Sequence, residues 1–416
     1  MNLKILYGRL DTKIREILSQ IFNVGNELGI KIYLVGGPVR DLLLNMEVVD
    51  VDLVVDKDLN AILENLKKKY QFKIECTRFL TAKIYLTGFT VDIAQARKEV
   101  YPRPGALPEV RNGSLKADAF RRDFTINALY LRIAEDEFSQ LIDYVGGIND
   151  LSRKIIRVIK KESFWEDPTR IIRAIRYEQR FGFRMERKTL TLLKEAIKEN
   201  VFSTVTGQRL GAEFIRTLKE KNPVNALIRM NQLCGFDFIT SGVKFTSRKI
   251  SLLTEWNFFP YKDKISSPEI IPLMILFSDL EPSKLNEASQ KLELTRQQRK
   301  LISNYLSLDR KNIISAIDGN LSITRLYDKL KNFDFEIIAC LYLEAEGKAK
   351  RNLKLFIDEI LKLKLEIKGD DLKKLGVPSG PVIGKLLDKV RRAKLRGKLE
   401  SKEDEIRYLK KLLKCG

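Results

Sequence analysis

Two acids one residue apart, Asp50 and Asp52 in "VVDVDLVV", follow a Gly36-Gly37 pair in "YLVGGPVRDLLL". On a strand, positions i and i+2 place both carboxylates on one face, with Val51 and Leu53 on the other. Two hard oxygen ligands on a rigid strand suit Mg2+, whose remaining positions go to water and substrate phosphates. The glycines let backbone N–H groups approach a phosphate closely, because no Cβ obstructs them, and Arg40 one turn later adds charge. A motif this short, taken alone, is also what a strand with two solvent-facing acids looks like, and alone it reads as that.

A second constellation changes the balance. "FRRDFTINALY" sets Arg121 and Arg122 beside Asp123 and, four residues on, Asn127, whose amide both donates and accepts. Paired arginines answer a polyphosphate.

The elements that must position these residues are legible in the periodicity. Apolar positions at helical spacing predict a helix over Thr12–Leu28, followed by a strand at Lys31–Val35, the glycine turn, a short helix "VRDLLL" and the strand "VDVDLVV". A Lys-rich helix near 60–69 and strands near 72–76, 82–86 and 90–94 complete a small sheet. "YPRPGALP", residues 101–108, holds three prolines, so it is a loop that something must hold. From Arg170 onward the spacing is helical almost everywhere.

Composition narrows the chemistry. The 416 residues carry a formal charge of +21, which implies an anionic partner, with nucleic acid ahead of a membrane surface. There is no histidine, which excludes Ser-His-Asp and Cys-His hydrolases and every His-dependent metal site. Cys76, Cys234, Cys340 and Cys415 are scattered without a CxxC pair, so neither zinc nor a disulfide framework is expected. No apolar run is long enough for a transmembrane span and the N-terminal stretch is charged throughout, so the expected location is cytoplasmic, off the membrane.

In this order, "GGPVRDLLL…VDVDLVV" and "RRDFTINALY" resemble the nucleotidyltransferase head of the class II, bacterial-type tRNA nucleotidyltransferases, which build the 3′ CCA end of tRNA, and of the related bacterial poly(A) polymerases. "VDIAQARKEVYPRPGALPEV…GSLKADAFRRDF" is similar to the stretch between the two head motifs, and "LIDYVGGINDL" resembles the element joining head to neck. "EDPTRIIRAIRYEQRFGF" is similar to the family's nucleobase-selecting helix, "TGQRLGAEF" to its next element, and "GDDLKKLGVPSGPVIGKLLDKV" to its C-terminal RNA-gripping segment.

The resemblance implies an α+β chain: a small mixed β-sheet head at residues 1–138, then an elongated all-α neck at 139–220, body at 221–330 and basic tail at 331–416. It implies that Asp50 and Asp52 bind two Mg2+ ions, with Asp92 a nearby third carboxylate. Gly36, Gly37 and Arg40 would hold the triphosphate with the Arg121-Arg122 pair, while Asp123, Asn127, Arg173 and Arg176 complete the nucleotide site. Asp167 and Arg170 would read the base. A carboxylate accepts from the exocyclic amine of A or C and a guanidinium donates to the ring nitrogen, whereas G and U would leave a charge unpaired. Three residues apart, the two are expected on one helix face. Without the head motifs they would read as an acid and an i+3 ion pair at a helix start. In the basic stretch near the C-terminus, Lys385, Lys389, Arg391, Arg392, Lys394 and Arg396 would contact RNA, the alternative being a solvated helix face. Two features depart from the family pattern: Leu80 in "FLTAKIY" stands where a glycine is usual, and "NMEVVDVD" replaces a commoner polar loop.

The expected activity is template-independent addition of nucleotides to the tRNA 3′ end from ATP, with CTP use open. The "ARKEVYPRPGALPEV" stretch is closest to A-adding enzymes and poly(A) polymerases. Poly(A) polymerisation is the alternative, and a catalytically silent RNA-binding paralogue a remote one.

Overall fold

The computed structural model describes residues 2–77 and 80–414, so Phe79 and Cys415 lie outside the described residues. The chain divides into two compact units. The first runs to Ser241 with Gln290–Glu293, and the second comprises Gly242–Ser289 and the chain from Leu294 onward.

The first unit opens with helices α1 (Leu3–Gly8) and α2 (Thr12–Glu27), strand β1 (Ile32–Val35), helix α3 (Gly37–Leu43), strand β2 (Val51–Val55) and helix α4 (Leu59–Tyr70). Strands β3 (Lys73–Thr77), β4 (Thr81–Leu86), β5 (Phe89–Gln95), β6 (Arg97–Val100) and β7 (Glu109–Asn112) follow, then helix α5 (Leu115–Phe120), β8 (Leu129–Ala134) and β9 (Glu137–Asp143). Seven strands form one mixed sheet in the order β3-β4-β5-β2-β1-β8-β9, and β6 pairs with β7 in a separate hairpin. The β2–β5 pair is parallel, and its register sets Asp52 directly beside Asp92. Sequence parity then puts Val54 and Ala94 on the face of Asp52, where they pack with Tyr33, Ala119 and Tyr130. The buried stripes of α2 (Ile14, Ile17, Leu18, Ile21) and α4 (Ile62, Leu63, Leu66) pack against each other.

Leu80 has φ +54, the left-handed conformation that the family's usual glycine would adopt without cost. Its carbonyl still accepts from Gln95 N at 3.0 Å, and β4 pairs with β5 in continuous register. The 101–108 stretch is a loop, and Gly105 holds it. Its N–H donates to Trp165 O (3.1 Å), its carbonyl accepts from Arg209 Nη1 (2.8 Å), and a Cβ there would stand 2.4 Å from Thr204.

After β9 come α6 (Gly147–Ser152), β10 (Ile155–Ile156), α7 (Ser163–Glu166), α8 (Thr169–Phe181), β11 (Arg184–Met185), α9 (Arg187–Lys198), α10 (Gly207–Leu218) and α11 (Val224–Leu233). Helix α8 packs on α10 and α11, so residues on its exposed stripe are fixed from behind. The second unit is helical, with no strand among the described residues, and carries a core around Trp256, Leu253 and Ile270–Leu276. Its C-terminal portion has a separate core of Leu372, Leu386, Val390 and Leu409.

Candidate active site

Asp52 sits in β2, half-buried, while Asp50 is exposed one residue before the strand begins. Burial pushes the Asp52 carboxyl up to about 6. Arg122 pulls against that shift, and Asp92 and Asp50 add to it. The oxygen donors of Asp50 and Asp52, both lining the same cavity, are of the hard type that fits a divalent ion such as Mg2+. Asp92, although beside Asp52, is exposed and ion-paired to Lys83 at 3.0 Å. Among the described residues no three acidic, Cys or His side chains close into a metal cage. Asp92 stands as the nearby third carboxylate, in register with Asp52 on the neighbouring strand and paired with Lys83.

Facing them is the glycine turn. Gly36 has φ +73 and ψ −126, and a Cβ there would stand 3.2 Å from Arg122 Nη1. Arg40 is buried and heavily engaged: Nε and Nη2 contact Asp41 at 2.8 Å, Nη1 donates to Asn127 Oδ1 at 2.6 Å, and the guanidinium lies 4.5 Å from the Phe181 ring centre. These groups line a cavity of about 470 Å3 that also includes Asp50, Asp52, Arg122, Tyr177, Arg180 and Arg216.

The Arg121-Arg122 pair, expected to act together, splits. Arg122 lines this first cavity, whereas Arg121 lines only a second, of about 300 Å3, with Tyr101, Asp167, Thr169 and Arg170. Arg122, Asp123 and Arg173 border both. Asp167 is not on α8: it is extended, φ −142 and ψ 96, two residues before the helix. Its carboxylate accepts from Thr169 N (3.1 Å) and Thr169 Oγ1 (2.7 Å), and pairs with Arg209 at 3.0 Å. Arg170, in the first turn of α8, donates to Ser163 Oγ (2.8 Å), Arg121 O (3.0 Å) and Tyr101 Oη (3.4 Å). The expected shared helix face is thus corrected: a Pro168 helix start leaves Asp167 outside, and the two side chains meet at the cavity through separate supports.

Asp123 and Asn127 are internal parts of the wall. Asn127 Nδ2 donates to Asp123 Oδ1 at 3.0 Å, and Arg173 donates to Asp123 Oδ2 at 2.9 and 2.7 Å. Burial works to raise Asp123, yet Arg173 and the Asn127 amide hold it down at about 2. Arg173 and Arg176 both reach the buried Glu213, at 3.3 and 3.2 Å, and Arg176 also reaches Glu220 at 3.1 Å.

Residues 32–157 match the family model described as the Poly A polymerase head domain. An A-adding tRNA nucleotidyltransferase of Geobacter sulfurreducens is 34% identical over 95% of this chain and 47% of the relative, so the chain spans about half its length. The solved apo structure of a CCA-adding enzyme superposes with a TM-score of 0.76 at 30% identity, covering 98% of this chain and 99% of that one. The chain belongs to the class II tRNA nucleotidyltransferase and bacterial poly(A) polymerase family. A further solved member, the Thermotoga maritima CCA-adding enzyme complexed with tRNA, superposes with a TM-score of 0.75 at 29% identity over 99% of this chain and all of that one.

Within this nucleotidyltransferase fold, sequence reasoning missed Arg180 and Arg216 on the rim of the first cavity, Tyr101 in the second, and the buried carboxylates Asp118 and Glu213. Arg180 follows Arg176 by four residues and so shares its helix face, which was the signal for it. Arg216 and Glu213 gave no signal beyond their place in "TGQRLGAEF" and the residues after it. In the tail, Arg392 pairs with Asp388 (2.8 Å) and Asp328, and Lys394 with the buried Glu405 (2.6 Å). Those two cations are used within the fold. Lys385, Lys389 and Arg396 are exposed on or beside the helix Pro381–Leu395, and with half-buried Arg391 they make no ion pair among the described residues.

Proposed function

We propose that this chain adds nucleotides to the 3′ end of tRNA without a nucleic-acid template, drawing at least the terminal A from ATP and releasing pyrophosphate. The observation that carries this is the junction of two cavities at Arg122, Asp123 and Arg173, one lined by carboxylates, glycines and arginines, the other by Asp167 and Arg170. A nucleoside triphosphate fits such a pair, phosphates in the first and base in the second. The A-adding relative and the tRNA-bound family member support tRNA over general poly(A) addition. CTP use stays open.

Nucleotidyl transfer in this family relies on a divalent metal, which we take to be Mg2+ held by Asp50 and Asp52. When bound it would lower the pKa of the attacking 3′-hydroxyl and neutralise charge on the leaving pyrophosphate. The chain's own residues do the rest. Gly36 and Gly37 leave backbone room for phosphate oxygens, Arg122 and Arg40 answer their charge, and Asp167 and Arg170 discriminate the base edge. Lys385, Lys389, Arg391 and Arg396 would meet tRNA phosphates, with a salt-sensitive contribution. No helix among the described residues is long and apolar enough to cross a membrane, and a cytoplasmic location suits the substrate. The test is one incubation series: tRNAs ending before CCA, at C or at CC, each with ATP, CTP or both, and product masses measured. Addition of A to tRNA ending in CC is the expected minimum, and its absence would refute the reading.

A further inference from the structure

We propose that Asp118 is a positioning residue for the nucleotide triphosphate, its two oxygens holding neighbouring arginines apart so that Arg122 faces the Gly36 turn and Arg121 faces the base cavity. The inference rests on the function proposed above.

Asp118 is fully buried in α5. Arg121 and Arg122 follow at i+3 and i+4, the two positions that return to the same side of a helical turn. Each oxygen takes one fork: Oδ1 accepts from Arg121 Nε (2.8 Å) and Nη2 (2.7 Å), and Oδ2 from Arg122 Nε (3.0 Å) and Nη2 (2.9 Å). The Tyr130 hydroxyl donates to Oδ2 at 2.8 Å. A guanidinium is planar, so fixing Nε and Nη2 also fixes the direction of Nη1.

The two free ends then differ. Arg121 Nη1 donates to Glu99 at 3.1 Å, so its charge is shared with a second carboxylate. Arg122 Nη1 has no acceptor among the described residues and lies beside Gly36, 3.2 Å from where a Cβ would be. Glu99 Oε1 also takes Arg97 Nη2 at 2.9 Å, so the outer end of Arg121 is held in an ion cluster, whereas the outer end of Arg122 is left to the phosphate cavity. Asp118 therefore sets the direction of the donor that the triphosphate meets.

Inorganic tripolyphosphate is the probe, used as an inhibitor of nucleotide addition by the full chain and in direct calorimetric titration. Asp118→Asn keeps one acceptor oxygen and loses one fork and the charge. It should raise the ATP KM and weaken tripolyphosphate binding about tenfold, with a smaller change in kcat, as expected for loss of a charge-assisted pair. In an Arg122→Ala background the same substitution should add less than about twofold to the loss, because it acts through Arg122. Unchanged tripolyphosphate binding, or equal losses in both backgrounds, would overturn the inference. Should Asp118→Asn not fold, Tyr130→Phe, which removes only a supporting hydroxyl, should weaken binding by about two- to threefold, and wild-type binding by that variant would overturn it equally. A wild-type chain that binds tripolyphosphate but adds no nucleotide would refute the proposed function while leaving this inference to the calorimetry.

Discussion

Replacing Gly36 by alanine tests the phosphate turn directly, because Gly37 beside it supplies an internal control. Gly36 has φ +73 with ψ −126, a region that an L side chain enters at a strain of roughly 1–3 kcal/mol. The new methyl would also stand 3.2 Å from Arg122 Nη1 and 3.6 Å from Asn127 O, so the guanidinium must shift by a few tenths of an ångström. Gly37 has no positive φ, and its Cβ would make only an ordinary 3.6 Å contact with Arg40 Nη2. In a unit of this size about 2 kcal/mol lowers Tm by roughly 4–8 °C. Gly36→Ala should therefore melt several degrees early and show an ATP KM raised about tenfold through displacement of a charge-assisted donor, while Gly37→Ala melts within about 1 °C of wild type. Scanning calorimetry on all three proteins and ATP titrations of terminal-A addition give both numbers. Equal melting of the two variants, or an unchanged KM in Gly36→Ala, would refute the assignment of strain and of Arg122 to this turn.

Asp50→Ala should abolish incorporation while tRNA affinity, read by gel shift, changes little; sustained turnover would remove Asp50 from the metal site. Arg170→Ala should narrow the preference for ATP over GTP and UTP more than it weakens tRNA binding, and unchanged discrimination would exclude a base-reading role. Asp118 and Asp123 are both held at about 2, below the ordinary carboxyl value, so the unfolded chain takes up their protons first as pH falls. For Asp118, burial opposes this and the two arginines, Arg122 before Arg121, overcome it. The stability these pairs contribute should be complete above about pH 4 and lost towards pH 2. Melting temperatures across that window should fall less steeply in Asp118→Asn than in wild type, and parallel curves would contradict the linkage.

What was legible in advance follows from the range of the interactions involved. Strands β1 to β5 and α2, α3 and α4 were readable because alternation and helical spacing are local, and Asp50, Asp52 and the glycine turn lie within one short stretch, whereas β8 and β9 were not read. The β2–β5 pairing that brings Asp92 beside Asp52 joins residues forty apart and carries no local mark. The same holds for the arginines. Sequence adjacency suggested that Arg121 and Arg122 act together on the triphosphate, whereas a buried carboxylate three and four residues upstream holds them so that only Arg122 reaches the first cavity. Asp167 illustrates the opposite error, since spacing predicted a helix face while the helix, with Pro168 at its N-cap, begins only at Thr169, two residues after Asp167.

Acids from α7, from α10 and from the segments that follow α5 and α10 explain why so many cations of α8 can border the two cavities. Arg170, Arg173, Arg176 and Arg180 recur along a single helix, an arrangement that repels itself unless counter-charges interleave. They do: Glu166 lies near Arg170, Asp123 meets Arg173, Glu213 takes Arg173 and Arg176, and Glu220 takes Arg176 and Arg180. Each acid comes from a different turn or element, so the arginines are oriented during folding, before any substrate arrives. A triphosphate then meets donors whose positions are already set, and less reorganisation opposes its charge than in a pocket of free side chains. The same interleaving leaves Arg122 Nη1, on the facing element, without an acceptor among the described residues, and that is where a phosphate oxygen gains most.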